Sequence, residues 1–253
     1  MVEAGSLFAA QPAWIWAVCI APFAGSFLGV LIDRLPAGRA VVFARSSCAE
    51  CGARLGPLDL VPLASFALLR GRCRHCDGRI SLFHPAIELS CIAVALWVAA
   101  VVSDEWTLWI SCILGWTLLA LAVSDWRSFV LPDALTLTLL LGGFSVTAWQ
   151  SWPDLTDHTL AAALGFTVFR GISLLYRRIR GREGLGAGDA KLLAAGGAWL
   201  GISPLPRVLL IAALFGLFLA IASTLRGRKF EGTLMLPFGS CLSLAIWLAW
   251  LYS

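Results

Sequence analysis

The chain has 253 residues, 59% of them hydrophobic and only 13% charged, with a formal net charge of +4. Soluble domains run near half apolar and a quarter charged. This composition, a mean hydropathy of +0.85 and twelve Trp exclude a disordered segment, a nucleic-acid-binding tail and an ordinary water-soluble enzyme.

Apolar runs of about twenty residues, the length a helix needs to cross a bilayer, recur along the chain and predict an all-α polytopic membrane protein. In chain order the predicted spans are 13–32, 85–102, 107–124, 134–150, 159–176, 190–202, 207–225 and 234–252, about eight transmembrane helices of which the sixth is the shortest. Residues 1–32 hold the first helix. It lacks a basic leading region and a small-residue cleavage site, so it reads as a retained helix rather than a removed signal. Residues 33–84 form a Cys-rich connection large enough to be a small domain, and 85–253 form the membrane core.

Cationic side chains stay on the cytoplasmic side of a membrane. The segment 33–84 carries Arg34, Arg39, Arg45, Arg54, Arg70, Arg72, Arg74 and Arg79; 125–133 carries Arg127. Further along, 177–191 carries Arg177, Arg178, Arg180, Arg182 and Lys191, and 226–233 carries Arg226, Arg228 and Lys229. Seventeen of the nineteen Lys and Arg therefore fall in alternate connections. The opposite connections are short and mostly acidic, with Asp104 and Glu105, then Asp154 and Asp157. This pattern places both termini outside and the Cys-rich domain in the cytoplasm.

Within that domain, Cys48-Ala49-Glu50-Cys51 and Cys73-Arg74-His75-Cys76 are two C-x-x-C knuckles separated by 21 residues. Four thiolates at this spacing can close tetrahedrally on Zn2+, and a reducing cytoplasm disfavours disulfides. Two redox pairs, or a ribbon without metal, are the alternatives. A domain of about fifty residues builds little core alone, which gives a structural metal a physical purpose. His75 reads as a bystander, and Cys19, Cys91, Cys112 and Cys241 as small apolar residues of the spans.

The chemistry points to carboxylates. The three His are scattered and no H-E-x-x-H occurs. The glycine-serine pairs Gly25-Ser26 and Gly239-Ser240 have no neighbouring base and read as small residues that let helices approach. Asp125 ends the third span in Ser124-Asp125-Trp126-Arg127, and Asp189 closes Gly184-Leu-Gly186-Ala-Gly188-Asp189 where the sixth begins. Each has a plain alternative: Asp125 pointing into water, Asp189 capping a helix. Asp133, after Pro132, is assigned a capping role. The sidedness lifts the other two, because it sets Asp125 and Asp189 at the same cytoplasmic boundary. Two carboxylates in a partly dry site share a proton, one acting as base on a water and the other as acid toward a carbonyl. Glycines 184, 186 and 188 would allow close backbone approach and conformations closed to other residues.

Taken together, these features resemble the prepilin peptidases (type IV leader peptidases), within the GxGD aspartyl proteases. The resemblance covers nearly the whole chain. It runs through Gly25-Ser26-Phe27-Leu28, Arg34-Leu35-Pro36, the paired knuckles, Pro62-Leu63-Ala64-Ser65 and Leu68-Leu69-Arg70-Gly71-Arg72-Cys73. It continues with Ile80-Ser81, Pro85-Ala86-Ile87-Glu88-Leu89, Asp125, Leu131-Pro132-Asp133, the stretch from Gly184 to Leu193, and Pro237-Phe238-Gly239. The resemblance implies Asp125 and Asp189 as catalytic pair. It further implies removal of a short basic leader from type IV prepilins or secretion pseudopilins, and N-methylation of the new N-terminus by S-adenosylmethionine. That second activity is associated with the cytoplasmic region and with the neighbourhood of Glu88. The chain departs from the family pattern in Leu82-Phe83-His84-Pro85 in place of Arg-Tyr-Pro, and in Pro-Phe-Gly-Ser240 in place of Pro-Phe-Gly-Pro. Neither departure is expected to touch the aspartates. No Gly-rich nucleotide loop of Rossmann type is present in the sequence, so cofactor use rests on the resemblance alone.

A prepilin places its apolar helix in the bilayer and its basic leader in the cytoplasm, so the cut must fall at the inner boundary. The Arg of 33–84 read as lipid-facing retention charge rather than leader contacts. A proton-coupled transporter would instead need acids deep within spans, where Glu88 is the nearest example. A non-catalytic assembly factor docking through the Cys-rich domain would tolerate loss of either aspartate.

Overall fold

The computed structural model describes residues 13–41, 46–48, 50–181, 186–225 and 236–253. Among them the regular elements are helical, with two isolated antiparallel bridges, Ser47 with Arg54 and Arg72 with Arg79. Arg45, Arg182, Gly184, Arg226, Arg228 and Lys229 lie outside the described residues.

The long helices are α1 (Ala13–Arg34), α3 (Phe83–Val101), α4 (Glu105–Ser128), α5 (Asp133–Gln150), α6 (Leu155–Arg180) and α8 (Leu205–Leu225). A five-residue α2 (Ala64–Leu68) and two 14-residue helices, α7 (Ala187–Leu200) and α9 (Phe238–Leu251), complete the set. Among the described residues, five segments are long and apolar enough to cross a membrane: Ala13–Arg34, Phe83–Val101, Glu105–Ser128, Trp152–Ile179 and Leu205–Leu225. The chain is a multi-pass, all-helical membrane protein. Its wide lipid-type surface follows, with Trp16, Phe23, Leu141, Leu175, Leu214 and Phe218 exposed around the helices.

The chain divides into two compact units, one up to Trp116 and the other from Thr117, the division falling inside α4. In the first unit α1 packs on α3. The approach is close because Gly25 has no side chain: a Cβ there would meet the Glu88 Cα at 2.6 Å. One turn on, a Cβ at Gly29 would meet the His84 ring at 2.7 Å. The close-packing role read for Gly25 is what the structure has. Asp104 begins α4 by accepting the Thr107 N–H at 2.7 Å, which holds its carboxyl below the ordinary carboxylate range.

In the second unit α7 is the central element, with α5, α6 and α9 packed on it. Its residues Asp189–Trp199, apart from Lys191, are buried, and most of them are Ala, Gly or Leu. Small residues let three helices reach one. A Cβ at Gly197 would meet the Ala161 carbonyl carbon at 2.7 Å, one at Gly143 would meet the Trp199 ring at 2.7 Å, and one at Gly196 would meet Ile246 at 2.8 Å. Trp199 then donates its indole N–H to the Leu139 carbonyl at 2.7 Å, tying α7 to α5. At about 1.5 Å per residue, α7 and α9 are each about 21 Å long, shorter than a hydrocarbon core of about 30 Å. Such a helix is stable at membrane depth when other helices surround its ends, as they surround α7.

Candidate active site

Asp125 lies on the last turn of α4, which runs on to Ser128 rather than stopping at the aspartate. The chain then reverses within four residues, through Phe129 at φ 54. Ser124 fastens the reversal by donating its hydroxyl to the Val130 carbonyl at 2.7 Å. This brings Leu131 back beside the aspartate. The Asp125 carboxylate does not point off the end of α4 into water; only 6% of the residue is exposed. Its Oδ2 accepts the Ser240 backbone N–H at 2.7 Å and lies 3.1 Å from the Ser240 hydroxyl, and the Gly239 N–H also approaches it. Gly239 and Ser240 are the second and third residues of α9 after Pro237. Unpaired N–H groups at a helix start form a seat for an anion. The unfavourable end of one helix dipole is thus answered by the favourable end of another.

Asp189 is the third residue of α7, after Gly186 at the cap position. Its Oδ2 reaches back to accept the Gly186 N–H at 3.2 Å. The capping chemistry is therefore real, though the residue sits inside the first turn and not at the cap. It is 7% exposed. The structure thus gathers Asp125 and Asp189 at the starts of α9 and α7, with Leu131 between the two loops. A Cβ on Gly188 would meet the Leu131 Cβ at 3.0 Å, and one on Gly239 would meet the Leu131 Cδ1 at 2.9 Å.

The glycines before Asp189 have packing reasons more than conformational ones. Gly186 has φ −65 and ψ 143, open to any residue. A Cβ there would stand 3.2 Å from the Asp189 Oδ2, and Gly188 makes room for Leu131. Gly184 lies outside the described residues. Asp133 is not a cap: Pro132 occupies that position without any side-chain bond, and the Asp133 carboxylate pairs with Lys191 at 2.5 Å. Proline supplies the extended backbone for the turn, which frees the acid to join α5 to α7.

Ser240 overturns one expectation. Sequence reading took Gly239-Ser240 as close-packing residues and held the serine to be remote from the aspartates. Gly239 does pack closely, its missing Cβ leaving Asp125 room 3.0 Å away, but Ser240 is bonded to Asp125 directly. The available signal was a helix start, Pro237 followed by small residues opening an apolar run.

In the first unit the two knuckles repeat one local design. Cys48 and Cys73 donate their N–H groups to Ala53 and Gly78, and the turn after each second Cys is taken by a left-handed residue, Gly52 at φ 70 and Asp77 at φ 59. Arg72 secures the second by pairing with Asp77 at 2.9 Å. The Sγ atoms of Cys48, Cys51, Cys73 and Cys76 all lie within 4.8 Å of one another, a cluster that could hold a metal. The donors fit one: N–H groups of Cys51 and Glu50 draw the Cys48 thiol down to about 7. At Cys76 the Gly78 N–H pulls down, yet the three neighbouring thiols and desolvation together push it up to about 12. Four sulfurs this close cannot all become thiolates without a cation among them. His75 only donates its backbone N–H to Cys73, at 3.5 Å.

Glu88, also in the first unit, is 5% exposed. It accepts the Leu63 N–H at 2.8 Å and bonds to Ser26. Leu63 reaches it from a strained backbone, φ 57.

Comparison with known proteins agrees with this layout. Residues 19–102 match the bacterial peptidase A24 N-terminal domain, and residues 112–221 match the type IV leader peptidase family. A prepilin leader peptidase/N-methyltransferase of Aeromonas hydrophila is 38% identical over 208 residues, covering 82% of this chain and 71% of the relative. One from Burkholderia pseudomallei (strain 1026b) is 41% identical over 212 residues, covering 83% and 68%. Another from Stutzerimonas stutzeri is 33% identical over 251 residues, covering 90% and 86%. No solved structure matches the chain. With relatives this similar over most of both lengths, the chain belongs to the type IV leader peptidase family.

Proposed function

We propose that the chain is a membrane aspartyl endopeptidase that removes the basic leader from type IV prepilins or type II secretion pseudopilins and N-methylates the new N-terminus. Asp125 and Asp189 form its catalytic pair. The observation that carries this reading is the gathering of two buried carboxylates around Leu131, each held by N–H groups at a helix start. Nothing else among the described residues of the second unit is so arranged. With one proton between them, one aspartate takes a proton from water as it attacks the scissile carbonyl, and the other gives its proton to the carbonyl oxygen. The resulting diol collapses as the first aspartate returns a proton to the departing amine and the second takes back a proton from a diol hydroxyl, which restores the starting pair. Neither metal nor side-chain nucleophile is required.

The apolar helix of a prepilin lies in the bilayer and its leader in the cytoplasm. We therefore place the aspartates at the cytoplasmic face of a bacterial inner membrane, with eight crossings and both termini outside. The Cys-rich segment 33–84 is a zinc ribbon in this reading, Cys48, Cys51, Cys73 and Cys76 holding a structural Zn2+. S-adenosylmethionine supplies a methyl group on a cationic sulfonium. Glu88 fits its charge, as a buried acceptor on α3, and Gly186 and Gly188 line the peptide side of the aspartates.

The test uses membranes carrying Asp125→Asn or Asp189→Asn protein, mixed with full-length prepilin. Leader removal should fall by at least about a hundredfold in each. The mature N-terminus from the wild type should carry one added methyl mass when S-adenosylmethionine is supplied. Trimming at wild-type rate by either variant would overturn the assignment.

A further inference from the structure

The Ser240 hydroxyl has two partners and one proton. Its Oγ lies 2.8 Å from the Ala122 carbonyl of α4 and 3.1 Å from the Asp125 Oδ2. A hydroxyl donates once and accepts twice, so these contacts cannot both be donations at one moment. The Ala122 carbonyl sits within α4, nearly two turns before the helix ends at Ser128, and a carbonyl has a second lone pair besides the one its helix uses. Meanwhile the Ser240 N–H holds the same Oδ2 at 2.7 Å whichever way the hydroxyl turns.

We propose that Ser240 is a positioning residue for Asp125, its hydroxyl rotating between the aspartate and the Ala122 carbonyl so that one seat serves both protonation states. When Asp125 is ionised, the Ser240 O–H donates to Oδ2. When Asp125 carries the proton, its own O–H donates to Oγ, and the serine hydrogen turns to the Ala122 oxygen. Each state keeps its full complement of bonds, no heavy atom moves, and no proton leaves the carboxyl through the serine. Such a seat serves an acid that gains and loses a proton in every turnover, and a proline at this position, with neither N–H nor hydroxyl, could not supply it. With backbone N–H donors alone, the protonated form would leave its hydroxyl hydrogen facing no acceptor there.

The proposal rests on the peptidase reading, and the experiment separates the two. Cleavage of full-length prepilin is followed over substrate concentration for wild type, Asp125→Asn, Ser240→Ala and Ser240→Thr. Ser240→Ala keeps the N–H and the helix, so it should lower kcat roughly tenfold, the worth of a bond to a charged group, and leave KM unchanged. Threonine restores the hydroxyl and should return kcat to within about threefold of wild type. A wild-type kcat in Ser240→Ala, a loss confined to KM, or equal losses in the alanine and threonine variants would each overturn the proposal and leave the peptidase standing. Full cleavage by Asp125→Asn would overturn both.

Discussion

Asp125 and Asp189 are set by what surrounds them at atomic distance, and a single glycine controls the nearer shell. A Cβ on Gly239 would stand 3.0 Å from both Cγ and Oδ2 of Asp125 and 2.9 Å from Leu131. The end of Leu131 can swing aside, but Asp125 must give by a few tenths of an ångström or α9 must retreat and withdraw the Ser240 N–H. Gly239→Ala should therefore cost leader cleavage roughly tenfold or more, with the protein still reaching the membrane. Gly171, on α6, is the matched control, because nothing lies within 4 Å of its missing Cβ. Alanine there should leave cleavage unchanged and favour the helix by about 0.5–1 kcal/mol. Equal activity of the two variants in the prepilin assay would show that the Asp125 seat tolerates displacement. The aspartates themselves were legible in the sequence from charge placement and the Gly-rich string. Ser240 and Leu131 were not. A serine with no base beside it in sequence, and a leucine among many, carry no local mark of chemistry; their role comes from a chain reversal and from a helix more than a hundred residues onward.

At the scale of elements, hydrophobic run length located the helices well, since every predicted span has a helix over most of its extent. Boundaries were less legible. α7 begins three residues earlier than the apolar run because glycine and aspartate belong to its first turn, and capping geometry, not hydropathy, sets that point. The knuckles were the most legible feature, four cysteines at fixed spacing that the fold does bring together. Their surroundings add a mechanical reason for a metal. Between Ser46 and Arg79 the described backbone has two short bridges, a 3-10 turn at Pro57–Leu60 and the one-turn α2. Its long apolar residues Leu58, Leu60 and Leu68 are exposed and Cys73 is buried. Such a segment lacks the core to hold itself, and a structural metal contributes folding energy outright. Purified protein should hold about one zinc per chain, and Cys48→Ser or Cys76→Ser should lower this several-fold. Chelation should then expose 33–84 to proteases while α4 to α9 stay resistant. Near-zero zinc in wild type and both variants alike would remove the ribbon.

For the molecule as a whole, one electrostatic rule governs enzyme and substrate together. Inserting an Arg at the bilayer centre costs about 2.5–3.5 kcal/mol on biological insertion scales, and the connection between α1 and α3 carries eight of them, Arg34 itself ending α1. The short connection from α3 to α4 holds Asp104 and Glu105 and no cation. The same cost keeps the basic leader of a prepilin from crossing, so under the proposed orientation the arginines of the enzyme, the cut site of its substrate and the two aspartates share one face. This coupling makes orientation testable apart from activity. A protease-cleavable tag placed after Asp104 should be cut from outside in cells with a permeabilised outer membrane, and the same tag after Asp77 should be cut only once the inner membrane is opened. α4 leads directly from Asp104 to Asp125 through 21 of its 24 helical residues, about 31 Å at the standard rise, so under the proposed topology the two ends of that helix lie on opposite faces. A tag at Asp77 cut from outside would reverse the whole orientation, and with it the route by which a cytoplasmic leader reaches Asp125 and Asp189.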